Sequence, residues 1–463
     1  EGMSMAYEEV VEPVEIEKLP TVVRCYFYEI ADRIKEADKK RVRRVREKIG
    51  EVKKLVEGMF IPIPDEEWRD LRVGVVDGSC TPLLDARLFG RYGLFTVGCH
   101  VFEGTKALED KTDFLTGGVV FTDPGDPSLQ RSAFVMLMID FERMMACRLL
   151  KEEDLDYLII DGGFFSHIIP LLHLRGAWER GEMVELEHVY VDWDGRVSHV
   201  SKYGMGDILE LVKIYARKSL ELIRSRKAVS VVKRTTHDAV DGYLLFLNRG
   251  KISGRRGREW FEVVKDIATN LYDKTIFSIL MPKGTYFPYS QFFRDAMAEK
   301  ARMFETQLAF RAFSRLKAYL FSQARRGIFL DVRSALGNRY NMVIREMKKV
   351  LETVKTPVPS EDIETVEQKI HRFYVKIWVG KPVMVTEIPE GVDFGKAMSY
   401  MANFVNPDTG LPFPLDLVDG DVRLPAKLSR ELVDEVLSGL IRESLPDFVL
   451  ELYSFLNPQD VYK

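Results

Sequence analysis

Two stretches of this chain end a β-branched run on the same dipeptide: Arg72-Val73-Gly74-Val75-Val76-Asp77-Gly78-Ser79 and Tyr157-Leu158-Ile159-Ile160-Asp161-Gly162-Gly163. Runs of Val and Ile this long, bounded by Gly, read as fully buried strands. An acid at the end of such a strand, followed by Gly to turn the chain, is expected at the sheet's rim with its carboxylate aimed outward. Open α/β sheets bind ligands at that rim, and two such acids can jointly hold a hard divalent cation. Asp-Gly is also a common turn dipeptide. One copy reads as a turn; two copies leave turn and ligand both open.

The strands and helices between and around the two motifs narrow the fold. Residues 14–60 read as helical, with the basic run Asp38–Arg46 either a solvated face or a phosphate-facing arm. Pro62 and Pro64 break that helix. Strands follow at Arg72–Val76, Gly93–Phe102 and Asp113–Thr122, with connections short enough for antiparallel neighbours. A long apolar helix, Ser128–Leu150, leads to the strand Tyr157–Ile160. A polar excursion (175–203), a helix (about 205–226) and a strand, Ala228–Val232, complete the series. Three antiparallel strands, helix, strand, helix, strand is the layout of an RNase H-like core. The expected fold is therefore α/β, an RNase H-like mixed sheet with flanking helices and a large helical insertion. Its parts are a basic helical segment (1–65), the core (70–235), the insertion (236–360) and a C-terminal part completing core and site (361–463).

A third carboxylate comes from the helix between the motifs. Glu142 is set among Met138, Ile139, Met145 and Ala146 at helical neighbour positions, with no basic partner on its own face. Burying it unpaired is expensive, and a metal ion would supply the missing charge. Its competitor Asp140 has Arg143 three residues on for an ordinary ion pair. Lys233, ending the run Val229–Val232, is placed to orient a phosphate or stabilise a leaving oxygen; alone, it reads as a surface lysine.

These pieces resemble the NurA nuclease family of archaea, partners of the HerA hexameric DNA translocase. The matching residues are Val75-Val76-Asp77-Gly78-Ser79, Glu142, Leu158-Ile159-Ile160-Asp161-Gly162, Val231-Val232-Lys233-Arg234 and a weaker block, Gly410-Leu411-Pro412-Phe413-Pro414-Leu415. The resemblance spans roughly residues 70–440. It implies manganese-dependent 5′-to-3′ exonuclease activity on single- and double-stranded DNA, with single-strand endonuclease activity. It also implies a homodimer docked on HerA, acting in DNA-end resection for recombinational repair. The family's C-terminal block has Tyr where this chain has Leu411, and a His, which helps bind metal or activate water, where it has Asp419. Asp can ligate Mn²⁺ as a hard donor but is a poorer proton shuttle near pH 7. Asp416, Asp419 and Asp421 all stand in this block, so the choice among them stays open; His167, close after Asp161, reads as structural. The expected catalytic set is Asp77, Glu142, Asp161, Lys233 and Asp419. The four acids would hold one or two Mn²⁺ (Mg²⁺ in its place), with Asp77 bridging, and Lys233 would contact the phosphate.

Net charge is −4, so nothing global announces nucleic acid, and any polyanion site must be local. Arg249, Lys251, Arg255, Arg256 and Arg258, ending at Trp260, are basic and Gly-flexible, which suits phosphate tracking with Trp260 on an unpaired base. A solvated loop whose Trp joins the next helix's core fits equally. The Phe-rich region 259–355 reads as helical core. Four scattered cysteines, with no CxxC, suit a cytoplasmic protein. No apolar run is long enough to span a membrane. No Walker A pattern occurs, so energy for moving DNA must come from a partner. A non-catalytic DNA- or HerA-binding subunit and a resolvase- or transposase-like strand-transfer enzyme are the competing readings.

Overall fold

The computed structural model describes residues 21–425 apart from 86–89, 123–124, 183, 201–204, 234, 269, 294–307 and 352–369, with Lys427, Leu428, Glu431 and Glu435 beyond them. The start of the expected N-terminal helix, Arg234, Phe304 and nearly all of the chain after 425 lie outside these residues. In chain order the elements are α1 (Thr21–Leu55), β1 (Ile61–Pro62), β2 (Arg72–Cys80), β3 (Leu84–Asp85), β4 (Arg91–Glu103), β5 (Lys106–Ala107), β6 (Asp113–Phe121), α2 (Pro127–Glu152) and β7 (Tyr157–Asp161). Then come α3 (Ile168–Glu179), β8 (Leu186–Val191), β9 (Val197–Val200), α4 (Met205–Arg224), β10 (Ala228–Val231), α5 (Ala239–Leu247), α6 (Arg249–Ile252), α7 (Gly257–Ile267) and α8 (Asp273–Leu280). The series closes with β11 (Thr285–Pro288), α9 (Leu308–Arg325), α10 (Val332–Leu351), β12 (Ile370–Lys376), β13 (Met384–Pro389), α11 (Phe394–Asn403) and α12 (Phe413–Val422).

Among the described residues thirteen strands make one mixed sheet, in the order β1-β11-β12-β13-β10-β7-β2-β4-β6-β8-β9, with β3 and β5 also against β4. β7 runs parallel to both β2 and β10, while β4, β6 and β13 are antiparallel to their neighbours. The expected α/β class and mixed sheet are therefore present, and the central strands fall where the Val/Ile runs put them.

Helices cover both faces, which is why the central strands are apolar throughout rather than alternating. One core gathers Val76, Leu158 and Ile160 with Phe134, Leu137 and Phe141 of α2 and with residues of α3 to α5. The other gathers Val73, Val75, Ile159, Val229 and Val231 with Met398 and Met401 of α11 and Leu415, Val418 and Val422 of α12. α2 begins at Pro127, whose missing N–H costs nothing at a first turn, and Asp126 caps it by accepting from Ser128 N at 2.9 Å.

Three expectations need correction. The stretch 175–203 is not merely a polar excursion: it carries the end of α3 and the hairpin β8–β9, which extends the sheet from β6. His188 of β8 is buried, and burial draws its imidazole down to about 4, so it serves as packing beside Phe141 and Tyr190. The region 259–355 is not wholly helical either, since β11 pairs with β12 and β1. Its phenylalanines Phe287, Phe292, Phe293, Phe310 and Phe313 are buried, as core residues should be. Finally, Asp77 does not end its strand, for β2 continues to Cys80.

Candidate active site

Side-chain alternation decides which groups meet at the strand ends. Val73, Val75, Ile159, Val229 and Val231 all face the α11–α12 core. Asp77, Asp161 and, past the end of β10, Lys233 keep the same phase and project to the same face. α12 buries Val418 in that core, which brings its next residue, Asp419, over the strands. Lys233 joins the three acids: Nζ lies 2.5 Å from Asp77 Oδ2, 2.5 Å from Asp419 Oδ1 and 3.7 Å from Asp161 Oδ2.

The two Asp-Gly motifs differ in what their glycines do. Gly162 has φ +71°, the left-handed conformation that L side chains avoid, and it turns the chain after β7. Gly78 stays in the strand, and its service is a close approach. A Cβ there would stand 2.5 Å from Met138 Sδ and 3.3 Å from Glu142 Oε2. The missing side chain lets α2 lie on β2 and seats the Glu142 carboxylate one residue from Asp77. β2 pairs with β7 as far as Val76 opposite Ile160, so the next residue, Asp77, stands beside Asp161, the last residue of β7.

The electrostatics are those of crowded acids. Burial, then repulsion from Asp161, outweighs Lys233 and pushes Asp77 up to about 8. Burial holds the Glu142 carboxyl well above the usual range; Arg143 opposes this, while Asp77 and Asp161 add to it. Asp161 is raised by burial against the pull of Lys233. Asp419 loses some hydration, but its hydrogen bond and attraction to Lys233 leave it below the usual carboxylate range. Burial disfavours the Lys233 ammonium, yet Asp161 and Asp77 hold its proton more tightly than in a free lysine.

Of the three acids in the C-terminal block, only Asp419 reaches this cluster. Asp421 bonds His100 Nε2 at 2.8 Å, and Asp416 accepts from Thr409. His167 stands at the N-terminal boundary of α3 without a capping bond from its side chain, and burial draws its imidazole down to about 4, which suits the structural role.

Two positioning features were not foreseen. Arg143 does not pair with Asp140: it is fully buried and donates Nη2 to the Gly163 carbonyl at 3.2 Å. Asp140 is itself buried, with no hydrogen bond to either carboxylate oxygen among the described residues, and burial raises it well above the usual range. Glu387 of β13 accepts from Phe164 N at 2.9 Å and pairs with Arg372 of β12 at 2.7 Å, both side chains being buried. The loop after Asp161 is thus held from both sides. The sequence signal was an Arg and a Glu among the buried residues of two strands, and only the β12–β13 register, Arg372 opposite Glu387, makes them partners.

The acids suit a hard divalent cation in kind. All four offer carboxylate oxygens, and with Asp77 and Glu142 buried they outnumber the two nearby cations, Lys233 and Arg143. Among the described residues no group of three His, Cys, Asp or Glu closes into a ready cage; the Lys233 ammonium is the positive charge that Asp77, Asp161 and Asp419 share.

The basic segment is organised differently from the expectation. Trp260 is 1 % exposed, enclosed edge-on by Phe261, Phe321 and Phe329, so its faces are not open to a base. The core alternative holds for it. Arg255, just before α7, pairs with Glu259 and Arg258 with Glu262, Arg249 lies over Phe246, and Lys251 and Arg256 are exposed.

Fold and site together define a mixed α/β protein with a carboxylate–lysine cluster at its central strand ends. No family model matches the chain, and no curated protein does. Among solved structures it is similar to the NurA nuclease from Sulfolobus solfataricus, at 16% identity and TM-score 0.47, over 92% of this chain and 99% of that one. It is also similar to a structure described as NurA (11% identity, TM-score 0.43, 88% of this chain and 97% of that one). A third is NurA bound to dAMP and manganese (10% identity, TM-score 0.39, 85% and 93%).

Proposed function

We propose that this protein is a metal-dependent deoxyribonuclease built on an RNase H-like core. The observation that carries the reading is the convergence of Asp77, Asp161 and Asp419 on Lys233, with Glu142 seated beside Gly78. Asp77, Glu142, Asp161 and Asp419 would hold one or two Mn²⁺, with Mg²⁺ in its place. Bound there, the metal supplies an activated water and neutralises charge on the leaving oxygen. Lys233, freed from the acids, offers its ammonium to the phosphate. Arg143 and Glu387 keep the Asp161 loop in place. The finer activities and partners that the family resemblance implies belong to the same proposal: 5′-to-3′ exonuclease and single-strand endonuclease action, a HerA-type translocase, a homodimer and end resection.

The test is degradation of 5′-labelled single-stranded DNA in Mn²⁺ by wild type and Asp77→Ala. Loss of cleavage in the variant, with EDTA silencing the wild type, supports the proposal. Unchanged degradation by Asp77→Ala sinks it, DNA binding without cleavage favours a non-catalytic subunit, and joined products favour strand transfer.

A further inference from the structure

A cleft of about 520 Å³ opens beside the acidic cluster, lined by Thr235, Lys274, Ser278, Lys376, Gly380 and Lys381 among others. We infer that it binds a phosphate of the DNA strand next to the one being cut, an inference that rests on the nuclease reading of the cluster. Lys274 comes from α8, Lys376 from the end of β12 and Lys381 from the β12–β13 turn. Lys274 Nζ donates to the Lys233 carbonyl at 2.8 Å, and Lys381 Nζ to the Asp408 carbonyl at 2.8 Å. Lys376 is 4 % exposed and donates to the carbonyls of Ser278, at 2.9 Å, and Lys381.

Every one of these acceptors is a backbone carbonyl. Among the described residues no carboxylate forms an ion pair with any of the three lysines. Elsewhere the protein does otherwise: Lys317, also withdrawn from solvent, meets Asp238 at 2.8 Å and Asp241 at 2.6 Å. An ammonium buried without a counter-charge is costly to keep, and burial lowers both Lys274 and Lys376 from the ordinary lysine range. Three ammonium groups held only by carbonyls suit an oxyanion, and a volume in the range of small-ligand sites admits one with its sugar.

Its position names the source. Lys274 holds the main chain of Lys233, whose side chain holds Asp77, and Thr235 follows Lys233 by two residues. One wall therefore serves both the cleft and the acids, so a strand cut at the acids carries its neighbouring phosphate into the lysines.

The experiment measures binding rather than cleavage. A short single-stranded oligodeoxynucleotide, with either a 5′-phosphate or a 5′-hydroxyl, is titrated in EDTA against wild type, Lys274→Ala/Lys381→Ala, Lys381→Arg and Asp77→Ala. The double variant is expected to bind at least about 10-fold more weakly and, with one phosphate no longer neutralised, to flatten the log–log salt slope by about 0.7. Lys381→Arg retains binding. Equal losses with both probes assign an internal phosphodiester, and a loss confined to the phosphorylated probe assigns a terminal phosphate. Unchanged affinity and slope in the double variant overturn the inference, even where Asp77→Ala has lost cleavage. Lysine-dependent binding beside unimpaired cleavage by Asp77→Ala removes the nuclease reading and with it the assignment to a cut strand.

Discussion

Asp77 is not positioned as a residue chosen for stability would be. Its ordinary value is 3.8 and its value here is about 8, because burial and Asp161 oppose its charge. Between those values the folded state keeps a proton that the unfolded chain has lost, so stability falls as pH rises through the interval and the full cost stands above about pH 8. Asp77→Asn removes that charge. In EDTA at pH 8.5 the variant is expected to melt above the wild type, while losing the gain in melting temperature that Mn²⁺ gives the wild type. Thermal unfolding with and without Mn²⁺ checks both halves; a variant less stable in EDTA and still stabilised by Mn²⁺ contradicts them. At this scale much was legible. Asp77 and Asp161 stood out as acids on the most strand-like runs, and Glu142 as an acid with no partner on its own helix face. Arg143 was misread because a spacing of three along a helix makes an ion pair available, whereas its guanidinium instead turned to Gly163. Asp419 could be separated from Asp416 and Asp421 only by tertiary contacts that occupy the other two.

Elements position what residues supply. The C-terminal part was expected to complete the core, but β12 and β13 carry no local sign of which strand they join, because β13 meets β10 across 155 residues of sequence (Val231 opposite Thr386). Yet they bring the Arg372–Glu387 pair under the Asp161 loop. Removing one member of a buried pair leaves the other charge uncompensated, at about 3–5 kcal/mol. Glu387→Ala should therefore destabilise on that scale and also free Phe164 N, weakening Mn²⁺ binding at Asp161. Denaturant unfolding together with Mn²⁺ titration of the folded variant reads the two effects. A variant that unfolds at the wild-type midpoint would show that the pair holds nothing. The hairpin β8–β9 was missed for a different reason: its strands are short and half polar, and as the sheet's outer strands they face solvent in part.

At the scale of the whole molecule, the sheet separates two kinds of chemistry. Aromatic residues of α5, α7, β11 and α9 form core, which removes Trp260 from any role as a base-stacking platform. Truncating a buried Trp costs about 3–5 kcal/mol, so Trp260→Ala should lose stability of that order while the salt slope of DNA binding stays unchanged. A fall in DNA affinity without loss of stability would restore the ligand role. No helix among the described residues is long and apolar enough to cross a membrane. The central claim is that the carboxylates around Lys233 hold a divalent metal, and anomalous scattering from a crystal soaked in Mn²⁺ tests it most directly. The expected result is a manganese peak ligated by Asp77 and Asp161, with Lys233 displaced from them. A well-ordered soaked crystal with no peak at these residues, Lys233 still bound to Asp77 and Asp419, would contradict it.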